Sequence, residues 1–138
     1  MNRPVRVLVV EDYAPFRELL RATLEQMSEF EVVGESSDGL EAVQKARKLN
    51  PDLILVDIGL PRLNGFAVTR QIKGFSAHAI VLIVTEVHSR DMVEHAFLSG
   101  ANGYLVKSDA AGELESAVEA VLQGKQFIST LAALSMRD

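Results

Sequence analysis

Apolar residues follow one another along this chain in two alternating rhythms. The first is a set of short, nearly unbroken runs: Val5 to Val10, Leu53 to Val56, Ile80 to Val84 and Tyr104 to Val106. Runs of this length, rich in Val, Ile and Leu, suit strands buried on both faces. Glu31-Val32-Val33-Gly34-Glu35 reads as a shorter strand at a sheet edge, with polar flanks that discourage edge-to-edge pairing. The second rhythm lies between these runs and has helical spacing. Phe16, Leu19, Leu20, Thr23, Leu24 and Met27 predict a helix from about Ala14 to Met27, with Pro15 tolerated in its first turn. The turn Ser37-Asp38-Gly39 opens a helix over Leu40 to Leu49, and Asn50-Pro51-Asp52 stops it. A third helix is predicted from about Phe66 to Lys73. A fourth, capped by Ser89 or Asp91, runs toward Leu98. A fifth spans about Ala111 to Leu122 and ends at Gly124.

Five strands alternating with five helices predict an α/β doubly wound parallel sheet with helices on both faces. Residues 1–124 read as the domain, and residues 125–138 as a tail. Within the tail, Leu131-Ala132-Ala133-Leu134 suits one more helical turn or a linker.

Each inner strand delivers polar residues at its C-terminal end: Glu11 and Asp12 after the first, Asp57, Thr85 and Lys107 after the others. In parallel strands those ends share one edge, which is where ligands bind in open α/β sheets. Three carboxylates, a hydroxyl and an ammonium would converge there, a set able to hold a divalent cation and a phosphoryl group. Three carboxylates together repel and raise one another's pKa, which a cation relieves.

Composition narrows the field. At 138 residues the chain fits one domain with a sizeable core. It has no cysteine, so disulfides and thiolate metal sites are excluded. No apolar run approaches the roughly 20 residues of a membrane span, and the N-terminus leads straight into a strand, so a cytoplasmic protein with no membrane contact is expected. A net charge of −5 makes a poor surface for nucleic acid, so DNA would be reached only through another segment, such as an output domain absent from this chain, or through a partner.

The residues resemble those of the receiver domain of bacterial two-component response regulators. The resemblance rests on Glu11-Asp12, on Asp57 followed by Ile58-Gly59-Leu60-Pro61 and Asn64-Gly65, on Thr85, and on Gly103-Tyr104-Leu105-Val106-Lys107, in order and at family spacing over about residues 4 to 124. Val32-Val33-Gly34-Glu35 before Ser37-Asp38-Gly39, and Lys107-Ser108 at the fifth strand's end, look most like the NarL/FixJ (LuxR-type) branch. That branch usually carries a C-terminal helix-turn-helix domain, and Ala133 to Asp138 looks like the start of the linker to one.

The resemblance implies a flavodoxin-like sheet of strand order 2-1-3-4-5. It also implies that a histidine kinase phosphorylates Asp57 in a Mg²⁺-dependent (or Mn²⁺-dependent) step. Asp12, Asp57 and the Gly59 carbonyl would hold the metal directly, and Glu11 mainly through water. Lys107 and Thr85 would bind the phosphoryl group. Tyr104 would turn inward as Thr85 moves, reshaping the face of the fourth helix, fifth strand and fifth helix. The kinase would dock near Ala14, Pro15, Phe16 and Leu19, and output would use a homodimer.

Two departures modify this picture. Glu86 stands where the family has a small residue, and its carboxylate would crowd the incoming phosphodonor and slow phosphorylation. Gly59 and Val87, each two positions beyond a site residue, have no polar side chain to place a water, so self-dephosphorylation should be slow. Three rivals stand beside the switch. A haloacid-dehalogenase-type phosphatase would place a second Asp where Gly59 stands. A flavodoxin-like cofactor binder would need a phosphate-cradling loop after the first strand. A pseudo-receiver would only bind partners, which an intact Asp57, Asp12 and Lys107 argue against. The three histidines, His78, His88 and His95, have no paired ligand spacing and read as surface residues, with His88 and Glu86 near the site entrance.

Overall fold

The computed structural model describes residues 3–137. Its order is β1 (Val5–Val10), α1 (Ala14–Glu25), β2 (Phe30–Ser36), α2 (Gly39–Leu49), β3 (Leu53–Val56), α3 (Gly65–Phe75), β4 (Ile80–Thr85), α4 (Arg90–Leu98), β5 (Gly103–Val106), α5 (Ala110–Leu122), β6 (Phe127–Ile128) and α6 (Thr130–Ser135), with a 3-10 turn at Lys107–Asp109. The strands form one sheet of order β2-β1-β3-β4-β5-β6, and every pairing is parallel.

Alternation along the buried strands divides the core into two layers. Val7, Val9, Leu53, Leu55, Leu82, Val84 and Leu105 face Leu20 and Leu24 of α1 and Leu114, Val118 and Val121 of α5. Their neighbours Leu8, Val10, Ile54, Val56, Val81 and Ile83 face Ala42 and Ala46 of α2, Val68 and Ile72 of α3, and Val93 and Ala96 of α4. Successive side chains of a strand point to opposite faces, so an unbroken apolar run is what a doubly covered strand requires.

Caps fix where the helices begin. The Asp38 carboxylate accepts from the Glu41 N–H, the Asn64 amide oxygen from the Ala67 N–H, and the Ser89 hydroxyl from the Met92 N–H. Ser89 is thus the cap of α4, and Asp91 lies in its first turn. Each cap satisfies a backbone donor that the first helical turn leaves open. The expected helix bounds hold to within about two residues, as fraying ends allow.

The sheet has a sixth strand where five were expected. Phe127 and Ile128 pair with Gly103 and Tyr104. Two residues carry no readable alternation, so the sequence gives no strand signal there. The pairing depends on Gly103, where a Cβ would stand 3.3 Å from that of Phe127 and 2.8 Å from the Leu82 side chain. The Leu131-Ala132-Ala133-Leu134 segment lies within α6, with Ala132 fully buried against the layer that holds α4.

Candidate functional site

The C-terminal ends of β1, β3, β4 and β5 do converge. Glu11, Asp12, Asp57, Gly59, Thr85 and Lys107 line a cleft of about 280 Å³, together with Tyr13, Glu86 and Val87. Sheet register delivers them: Val10, Val56, Ile83 and Tyr104 align across the sheet, so Glu11 and Asp57 follow at once while Thr85 ends β4 two residues on and Lys107 follows β5.

Asp57 is nearly buried. Its Oδ1 accepts the Ile58 N–H at 2.7 Å, and its Oδ2 lies 3.0 Å from the Lys107 Nζ. The loop behind it is tight, with the Gly65 N–H donating to the Ile58 carbonyl at 2.8 Å. A side chain at Gly65 would overlap the Asp57 carbonyl, so the start of α3 approaches this closely only as glycine. Asn64-Gly65 therefore caps the helix and makes room for the strand end.

Glu11 is 1% exposed, deeper than any other carboxylate of the cleft. Its Oε2 accepts the Tyr13 N–H at 3.0 Å, and its Oε1 stands 2.8 Å from the Lys107 Nζ. Oε1 makes the ion pair but no well-aligned hydrogen bond, which leaves it open to a further partner. Burial holds the Glu11 carboxyl above its ordinary pKa, and the charge of Asp57 adds to the shift. Burial opposes the charge on Lys107. Its bonds to Glu11 and Asp57 outweigh that and hold its pKa above the ordinary lysine value. Asp12 is exposed at the mouth, and one carboxylate oxygen each from Glu11, Asp12 and Asp57 lie within 4.8 Å of one another. This all-oxygen set suits a hard cation.

Thr85 is buried, with its Oγ1 3.5 Å from the Val87 N–H. The Tyr104 ring lies inward and fully buried, and its hydroxyl donates to the Val87 carbonyl at 2.5 Å. Burial, followed by the charge of Asp57, pushes the Tyr104 phenol up, so it stays a donor throughout the neutral range. Tyr104 thus grips the loop that follows Thr85. Glu86 is exposed at the cleft, whereas His88 turns away and its Nδ1 lies 3.2 Å from the Ser135 hydroxyl of α6. His95 stacks on Phe66 with ring centroids 4.1 Å apart. Two contributors had no signal of their own. Phe16 places its ring face 4.8 Å from the Lys107 Nζ, and Ser135 ties α6 to the β4–α4 loop. Phe16 was readable as an apolar helix position and as part of the kinase-docking patch, but not as a neighbour of Lys107.

The sequence matches the family model of the response regulator receiver domain over residues 7–119. The chain belongs to that family. It is 36% identical over 124 residues to the transcriptional regulatory protein DegU of Brevibacillus brevis, covering 90% of this chain and 52% of that protein. It is 33% identical over 129 residues to the transcriptional regulatory protein LiaR of Bacillus subtilis, covering 94% of this chain and 61% of that one. The chain thus spans between half and two thirds of these relatives' length. A LuxR-family two-component response regulator from Aurantimonas sp. superposes with a TM-score of 0.92 at 33% identity, covering 96% of this chain and 95% of that one. This receiver is therefore a LuxR-type response-regulator domain by its relatives, and the fold is the flavodoxin-like one that the resemblance implied. Among the described residues, no helix is long and apolar enough to cross a membrane.

Proposed function

We propose that this receiver is a phosphorylation switch in which Asp57 accepts a phosphoryl group from a sensor histidine kinase. The observation that carries the reading is the Lys107 ammonium, held 3.0 Å from Asp57 and 2.8 Å from Glu11 at the sheet edge. In the transfer, an Asp57 carboxylate oxygen forms a bond to phosphorus, the phosphorus–nitrogen bond of the phosphohistidine breaks, and its electron pair leaves with the imidazole. The Ile58 N–H and Lys107 hold the Asp57 carboxylate in place beforehand, so little reorganisation remains for the reaction. The Thr85 hydroxyl and Lys107 then bond the phosphoryl oxygens.

The carboxylate cluster fits Mg²⁺, or Mn²⁺, on its donor chemistry and on the open Glu11 Oε1. Asp12, Asp57 and the Gly59 carbonyl would hold it, with Glu11 acting through water. The ion would neutralise the charge that builds on the phosphoryl oxygens.

Gly59 and Val87 offer no polar side chain to position an attacking water. A Cβ at Gly59 would meet nothing within 4 Å, so that flank has space but no reach. Self-dephosphorylation is accordingly slow, and a phosphoryl half-life of seconds would refute this. Movement of Thr85 is read out through the Tyr104–Val87 bond to α4, β5 and α5. Output follows from a homodimer and, in a longer protein, from a transcriptional domain that touches DNA. The setting is the cytoplasm, without membrane contact. Residues 125–138 serve as the link toward that output.

A second reading, a pseudo-receiver that binds partners without phosphorylation, is favoured by one feature, the Glu86 carboxylate at the cleft. Incubation with acetyl phosphate and Mg²⁺, read by intact mass beside an Asp57→Asn control, separates the two. A Mg²⁺-dependent adduct lost in the control supports the switch. A folded protein that binds Mg²⁺ and gains no adduct supports the binding module.

A further inference from the structure

The Lys107 ammonium has three N–H donors. Two of its neighbours are the carboxylates of Glu11 and Asp57, at 2.8 and 3.0 Å. Toward α1 it stands over the face of the Phe16 ring, 4.8 Å from the centroid. A cation within about 6 Å of a ring centroid, over its face, is attracted by the ring quadrupole. We infer that Phe16 is a positioning residue for the phosphoryl chemistry. Its π face holds the Lys107 ammonium in the cleft, within reach of the group that Asp57 receives. The inference rests on the phosphoacceptor reading above.

Three features support a role beyond packing. First, Lys107 follows the end of β5 and carries its charge on a flexible four-carbon stem, yet its side chain is only 12% exposed, so the groups around Nζ decide where the charge rests. Second, Phe16 is itself anchored. The next residue, Arg17, donates from Nη1 to the Glu11 carbonyl at 2.8 Å, which ties the first turn of α1 to the end of β1. This bond fixes the first turn of α1, and with it the Phe16 backbone, close to Glu11. Third, a ring face has no lone pair to hold the ammonium in a fixed hydrogen bond. Lys107 can turn toward a phosphoryl oxygen while keeping the ring contact, which a third carboxylate would not permit. Phe16 also packs against the layer formed by α1 and α5, and a leucine would serve that purpose alone.

The test separates the two roles. Phenylalanine analogues with increasing ring fluorination at position 16 keep the shape and drain the quadrupole. The full-length chain carrying each analogue is labelled with acetyl phosphate and Mg²⁺, and its melting temperature is recorded. The initial labelling rate should fall stepwise with fluorination, by about 3- to 10-fold at the most fluorinated ring, with little change in melting temperature. Phe16→Leu should lose at least as much, and Phe16→Trp should retain most of the rate. A flat fluorine series on a chain that labels normally overturns the inference and leaves the phosphoacceptor reading intact. The Lys107 ε-methylene protons give a second readout that needs no phosphorylation. They should be shifted upfield by the ring current and return in Phe16→Leu, and an unshifted resonance overturns the placement. Failure of the parent chain to label overturns the phosphoacceptor reading, and the role of Phe16 in that chemistry with it.

Discussion

Replacing Ser129 by alanine removes one oxygen from a fully buried position between β6 and α6. That oxygen accepts the Val106 N–H at 3.0 Å, and the Ser129 N–H donates to the Tyr104 carbonyl at 3.0 Å. β6 ends at Ile128, so the hydroxyl takes the place of the next acceptor in the ladder beside β5. Val106 is 1% exposed, and in Ser129→Ala its N–H would be left without that partner. A buried donor stranded in this way costs about 1–3 kcal/mol, a large share of the roughly 5–15 kcal/mol that holds a domain together. At this length the melting temperature should fall by about 3–10 °C. Urea unfolding is the assay, with the midpoint lowered and the slope unchanged. Amide exchange at Val106 should accelerate in the same variant. Thr130→Ala, at an exposed site one residue on, should stay within about 0.5 kcal/mol of the parent. A Ser129→Ala midpoint equal to that of the parent would refute the argument that the tail after Gly124 is part of the folding unit.

Other consequences follow from the cleft. Mg²⁺ should raise the melting temperature by an amount that grows with the logarithm of its concentration above Kd, equivalent to about 2.7 kcal/mol of added stability at a hundredfold excess, and Asp12→Asn should abolish most of the effect; equal shifts in both proteins would remove Asp12 from the metal site. The Glu11 carboxyl has a raised pKa in the fold, so its stabilising contribution is complete below the unfolded value of 4.5 and is lost as pH rises through the higher folded value. In metal-free buffer, stability should therefore decline from about pH 4.5 toward neutrality more steeply in the parent than in Glu11→Gln, and parallel pH profiles would contradict this. Tyr104→Phe deletes the hydrogen bond to Val87, whose loop is exposed enough for water to replace it, so the loss should be only about 0.5–1.5 kcal/mol by chemical unfolding. Glu86→Ala should speed labelling by acetyl phosphate, and an unchanged rate would show that the carboxylate does not hinder the donor.

The sequence made the inner sheet legible because its strands are covered on both faces. Leu53 to Val56 and Ile80 to Val84 had to be unbroken apolar runs, and their short length and Val/Ile content mark them as strands. The polar residues at the strand ends were legible for the same reason. A carboxylate directly after a buried run emerges at the sheet edge, and the strand order implied by the family resemblance, with β1 beside β3, brings Glu11, Asp12 and Asp57 together. β6 was not legible, because a two-residue strand carries no period and its place depends on the absent side chain of Gly103.

How the charges are held was the less readable part, and it sets how the cleft works. Glu11, Asp57 and Lys107 could be named from spacing, but not that one ammonium bridges both buried carboxylates. That bridge makes Lys107 the hub of the cleft. It offsets the repulsion that would otherwise hold Glu11 and Asp57 apart, and on the proposed phosphoacceptor reading it would give up part of this pairing to a bound cation or phosphoryl group. The contacts that steady the hub meanwhile come from elements whose sequence announces only packing. Phe16 lies on the apolar stripe of α1, and Tyr104 holds the loop behind Thr85 from within the core. A stripe residue that only packs and one that also touches Lys107 obey the same helical period, so spacing cannot separate them. Only the direction of the ring face does, and that is a property of how α1 crosses the end of β1.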